Sequence, residues 1–173
     1  MGYVKERDLT GKQDQGLTKA GFYRKTALFL SSWFGSGLMP IAPGTFGTLA
    51  AVPPVIIIDY FGIVPSVISL IVIIPLAVWT SNISQKLLGK DDPPEVVIDE
   101  VAGFFVTAFL LPFSWLSFTL GFLLFRVFDI FKPFPIGMID KKVKGGIGIV
   151  LDDIVAGVYA NICVRVVLAI FGL

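Results

Sequence analysis

The 173-residue chain contains no histidine. That absence removes His-ligated metals, phosphohistidine chemistry and any serine or cysteine nucleophile activated by an imidazole. Cysteine is nearly missing too. Cys163 stands alone, which excludes an internal disulfide and a multi-cysteine zinc cage. Charge is scarce: Asp, Glu, Lys and Arg make up 16% of the chain, against about 25% in an ordinary soluble domain. The net charge of +1 argues against a nucleic-acid partner. What fills the space is apolar. Hydrophobic residues make up 55% and the mean hydropathy is +0.84, too oily for a soluble globule of this length. Any chemistry must come from carboxylates, hydroxyls, lysine, arginine and a hard metal ion.

The few charges are unevenly spread. Residues 1–25 hold six basic and three acidic side chains. This stretch is too long and too mixed for a signal peptide and reads as a polar cytoplasmic tail. Residues 26–173 read as one membrane-embedded domain, with apolar blocks at 26–34, 46–61, 63–80, 101–111, 113–131 and 154–173. A bilayer core of about 30 Å needs about 20 helical residues, with about 17 as the lower limit. Blocks 63–80, 113–131 and 154–173 meet that length, 46–61 is marginal and 101–111 is short. Block 26–34 suits an interfacial or re-entrant piece. Strands are disfavoured, because an open sheet edge cannot be satisfied in lipid. The expected fold is all-α: a polytopic helical membrane protein with about four to five membrane helices plus the short interfacial segment.

Lysines beyond the tail collect in 81–97 and 132–152, whereas the links at 62–65 and 112–114 carry none. The positive-inside rule therefore places the two lysine-bearing loops and the tail in the cytoplasm. Five crossings follow, with the C-terminus outside. Arg165 lies deep in the last block and is expected to snorkel or to face the bundle.

Nine of the ten acids beyond the tail map to the cytoplasmic side, Asp59 being the exception. Asp91, Asp92 and Glu95 sit in a Pro-broken loop and read as solvated. Asp99 and Glu100 stand at the mouth of one helix, Asp129 at the inner end of the next, and Asp152 and Asp153 at the start of the last. Singly, such acids complement the positive end of a helix. Together, five like charges at a membrane boundary repel one another and cost desolvation, which a divalent cation would relieve. Carboxylate oxygens without Cys or His suit Mg2+ or Mn2+. Arg126, three residues before Asp129, and Lys132 are suited to hold phosphate. The small-residue stretch 35–51 (GSGLMPIAPGTFGTLAA) leads into the first span, where backbone N–H groups and the Thr45 hydroxyl can cradle an anion. Small residues also serve close helix packing.

Four blocks carry a resemblance: GSGLMPIAPGTFGTLAA, the Asp99–Glu100 pair, FRVFDIFKPFPI (125–136) and GGIGIVLDDIVAGV (145–158). In this order and spacing, from about Ser32 to the C-terminus, the chain resembles the phosphatidylglycerophosphatase A family. The resemblance implies a Mg2+-dependent lipid phosphatase of the bacterial inner membrane, acting on its cytoplasmic side. Its substrate would be the phospholipid phosphatidylglycerophosphate, whose terminal phosphate is removed to leave phosphatidylglycerol. Asp99, Glu100, Asp129, Asp152 and Asp153 are the candidate metal ligands and catalytic base, with Arg126, Lys132 and Thr45 on the phosphate. Direct attack by water is expected, since the DxDx[TV] pattern of aspartate-nucleophile phosphatases is missing. The competing reading is a small membrane cation transporter or channel whose interfacial carboxylates bind ions in transit.

Overall fold

The computed structural model describes residues 21–172. Among them every regular element is helical: α1 (21–31), α2 (Pro43–Tyr60), α3 (Ile63–Leu88), α4 (Ile98–Ala108), α5 (Trp115–Phe131), α6 (Ile136–Lys142) and α7 (Gly145–Phe171), with a 3-10 turn at Ser36–Leu38. The all-α expectation holds. Of the polar tail, residues 21–25 belong to α1, and 1–20 lie outside the described residues. Trp79 Nε1 donates to the Tyr23 hydroxyl at 3.0 Å, and the Ser31 and Ser84 hydroxyls meet at 2.8 Å, so both ends of α1 are fastened to α3.

Two helices, α3 and α7, are both long and apolar enough to cross a membrane. At 26 and 27 residues they reach about 39–40 Å, more than the hydrocarbon core. The 11 residues of α4 span only about 16 Å. Its apolar run has another cause. Ile98, Val101, Ala102 and Phe104 are fully shielded by α2, α3 and α7, so the helix is a core element enclosed by protein.

α7 is the axis of the molecule and packs against α3, α4, α5 and α6. Its closest approach is to α4, and glycine makes it feasible. A Cβ on Gly157 would collide with the Gly103 carbonyl, and a Cβ on Gly103 would lie 2.7 Å from the Asp153 carbonyl and 2.6 Å from the Phe125 ring. The contact presses the first turn of α4 against the amino-terminal third of α7, and acids come from both. The Gly-rich stretch 144–153 turns only at its start, where Gly145 has a φ of +78°. α7 already begins at Gly145, so Asp152 and Asp153 stand in the helix interior, where complementing a helix end does not account for them.

At the far end, α4 stops at Ala108, and its last carbonyls are met from α7. Asn161 Nδ2 donates to the Thr107 and Phe109 carbonyls, each at 2.8 Å. Arg165 Nη2 donates to those of Phe109 (3.1 Å) and Leu110 (2.6 Å), and its Nε reaches Asn161 Oδ1 at 2.8 Å. Arg165 turns its head inward, as one of the two expectations had it.

Candidate active site

Four helices deliver carboxylates to one cavity of about 270 Å³. The first turn of α4 supplies Asp99 and Glu100, the end of α5 supplies Asp129, α6 supplies Asp140, and α7 supplies Asp152 and Asp153. One ligand oxygen each from Asp99, Glu100 and Asp153 lies within 4.8 Å of the other two. Asp99 and Asp153 are buried, and Glu100 is half-buried. Asp99 Oδ1 and Glu100 Oε2 are both shut off from solvent without a hydrogen-bond partner. An orphaned buried oxygen costs about 1–3 kcal/mol, and more when charged. Three converging carboxylates with free oxygens fit a hard cation and little else on that count.

Asp99, Glu100 and Asp153 crowd like charges into a place largely closed to solvent, a cost in desolvation and repulsion that a proton or a metal ion would remove.

The other two expected acids stand beside this trio, each with a cation. Arg126 Nη1 lies 2.6 Å from Asp129 Oδ2, one turn along α5, and 3.9 Å from Glu100 Oε1. Lys132 Nζ lies 2.7 Å from both Asp140 Oδ1 and Asp152 Oδ2, while Asp152 Oδ1 is buried and unpartnered. Burial opposes the Lys132 charge, but the hydrogen bonds to Asp140 and Asp152 outweigh it and raise its pKa. Two of the residues expected on phosphate are thus already engaged with acids, and Arg126 does not line the cavity. Neither does Thr45, whose N–H bonds to the Ala42 carbonyl. Its neighbour Gly44 is the closer one: a Cβ there would collide with Glu100 Oε1. The Gly-rich entry to α2 serves close packing against the acid cluster.

The cavity also holds residues that sequence reasoning did not single out. Asp140 is one. Its sequence signal is the i+4 spacing from Ile136, which is fully buried, so the two share a face of α6. Lys141 and Lys144 are two more. Asp91 and Asp92, read as solvated, are exposed as expected but line the cavity mouth. Crowding in the mouth, with Asp140 and Asp129 adding to it against Lys132, raises the Asp92 carboxyl above its ordinary range.

Residues 29–168 match the family model described as Phosphatidylglycerophosphatase A. A protein of that name from Escherichia coli K12 is 41% identical over 132 residues, 75% of this chain and 76% of the relative. Another from Haemophilus influenzae Rd is 38% identical over 137 residues, 78% of this chain and 84% of the relative. A Bacteroides thetaiotaomicron protein, provisionally named a phosphatidylinositol-3-phosphatase, is 32% identical over 153 residues, 84% of this chain and 95% of its own length. No solved structure matches the chain.

Proposed function

Because the chain belongs to the phosphatidylglycerophosphatase A family and so dephosphorylates phosphatidylglycerophosphate, we propose that the acid-lined cavity is where the ester is cut. The observation that carries this reading is the convergence of Asp99, Glu100 and Asp153 beside the free Oδ1 of Asp152 in one cavity. The three converging carboxylates would hold a magnesium ion. When bound, such an ion neutralises charge on the phosphoryl oxygens and makes adjacent water more acidic. Asp152, whose Oδ2 accepts a hydrogen bond from Lys132, would take the proton of the attacking water through Oδ1 and return it to the departing glycerol oxygen. Lys132 has three donors, two of them on acids; the third is left for a phosphate oxygen. Arg126 fixes Asp129 and Glu100 and so holds the trio in place.

The protein is a bacterial membrane protein. We further infer that α2, α3, α5 and α7 cross the inner membrane, and that α4 with its exit 109–114 makes a partial fifth pass enclosed by them. The cavity then opens to the cytoplasm, the side favoured by Lys86 and Lys90 in one loop and Lys141, Lys142 and Lys144 in the other. A cation pathway is less well supported, because the acids gather at one cavity and do not continue along the bundle axis.

The test is phosphate release by the purified protein from phosphatidylglycerophosphate in detergent micelles, with phosphatidylinositol 3-phosphate assayed alongside for the sake of the third relative. Turnover of the first substrate, abolished by EDTA and restored by Mg2+, is the expected result. Full turnover after exhaustive chelation would overturn the metal assignment, and cation flux in proteoliposomes without phosphate release would overturn the enzyme.

A further inference from the structure

We propose that Lys141 and Lys144 form a second anion subsite on the cavity rim, which holds the phosphodiester of the lipid while the acid floor works on its terminal phosphate. This rests on the phosphatase reading above. The substrate carries two anionic phosphorus groups joined through one glycerol, so a cavity that accepts the terminal monoester must also find a place for the diester. The floor is a poor place for it. Carboxylates outnumber lysines along the cavity wall, and a diester has too little charge to displace them from a cation.

The cations divide into two kinds. Arg126 is held by Asp129, and Lys132 is held by Asp140 and Asp152. Lys141 and Lys144 line the same cavity, are exposed, and have no carboxylate within ion-pair distance among the described residues. Their position fits the task. Lys141 is in the last turn of α6, and Lys144 immediately precedes α7, with Gly145 and Gly148 continuing the wall from the rim to Asp152. Eight residues of helix, about 12 Å of rise, separate Lys144 from Asp152. That leaves room for the glycerol bridge between the two phosphates. Lys142 is absent from this cavity and lines only a neighbouring depression, which Lys132 and Lys141 also border.

The experiment compares wild type with Lys141→Gln/Lys144→Gln and with Lys142→Gln in mixed micelles at fixed ionic strength. Three quantities are read: KM and kcat for phosphatidylglycerophosphate, the inhibition constant of phosphatidylglycerol, which has only the diester, and that of inorganic phosphate, which has none. In the double variant KM and the phosphatidylglycerol constant should each rise about fivefold, as for two exposed ion contacts. The kcat and the phosphate constant should stay within about twofold. Lys142→Gln should change nothing, and Lys141→Arg/Lys144→Arg should behave as wild type. If the phosphate constant rises as much as the phosphatidylglycerol constant, or if Lys142→Gln acts like the double variant, the lysines supply general attraction and the subsite is overturned. No change in any constant overturns it equally. The single Lys141→Gln and Lys144→Gln variants carry the same test should the double variant fold poorly. Absence of phosphate release from wild type would instead sink the phosphatase reading, a result independent of any lysine effect.

Discussion

The two ends of α7 treat polar groups in opposite ways. Near its start, Asp152 and Asp153 are buried, and Asp152 Oδ1 has no partner, like Asp99 Oδ1 and Glu100 Oε2 across from it. Near its other end, Arg165 is exposed at the surface of the protein, yet its guanidinium and the Asn161 amide are spent on the three backbone carbonyls where α4 ends. Polarity inside an apolar helix does not by itself mark a site. What distinguishes the ends is whether the donors and acceptors are matched: matched groups close a structure, and the orphaned oxygens of the acid end, with Arg126 Nε beside them, wait for something that is not protein.

The sharpest way to break that comparison is one substitution at each end. Asp153→Asn removes a charge from the unmatched end, and phosphate release should fall about a hundredfold or more. The thermal midpoint of the metal-free protein should hold or rise, because a repulsive charge is gone. Unchanged turnover would remove Asp153 from the metal trio. Arg165→Met does the reverse. It strips the matched end of its cap on Phe109 and Leu110 and should cost about 1 kcal/mol, a fall of about 3 °C in Tm measured in detergent, while kcat of the folded fraction is preserved. A loss of kcat with no change in Tm would contradict the division between the ends.

Two smaller effects sharpen it. Arg126→Lys keeps the charge but gives up the guanidinium whose Nη1 reaches both Asp129 and Glu100. A fall in kcat/KM of about tenfold, accompanied by a higher Mg2+ requirement, is expected because the arginine holds acids and not substrate. If the Mg2+ titration is unchanged, Arg126 contacts phosphate directly, as its sequence position had suggested. The least effect belongs to Asp91→Asn. This residue lies at the cavity mouth but is exposed, its one side-chain contact being Gln85 at 3.5 Å, and turnover should stay within about twofold.

The hydropathy of the chain made its helical class plain, and the five carboxylates stood out because acids are so few and so one-sided. Other features were hidden by their nature. An apolar run such as 101–111 records that water is excluded, not whether lipid or protein excludes it, and here α2, α3 and α7 surround it. The glycines at 145–148 divide in a way no pattern shows: Gly145 turns the chain with a positive φ, whereas a Cβ on Gly146 would meet the Val78 carbonyl of α3, and one on Gly148 the Val143 carbonyl. The partners of Arg165 lie 55 and 56 residues away, beyond the reach of any local pattern. Arg126 and Lys132 lie near the acids, as their spacing suggests, but sequence shows a cation's neighbourhood without showing which carboxylates it already holds.

The short length of α4 has a consequence for how the molecule is made. A chain leaves the ribosome amino end first, so Thr107, Phe109 and Leu110 emerge some 50 residues before the Asn161 and Arg165 that cover their carbonyls. Until α7 has been synthesised, α4 has neither the length to cross the bilayer by itself nor a lid for its exposed end. The helix that covers this end also brings Asp153 to Asp99 and Glu100, so a chain without α7 lacks one member of the carboxylate trio.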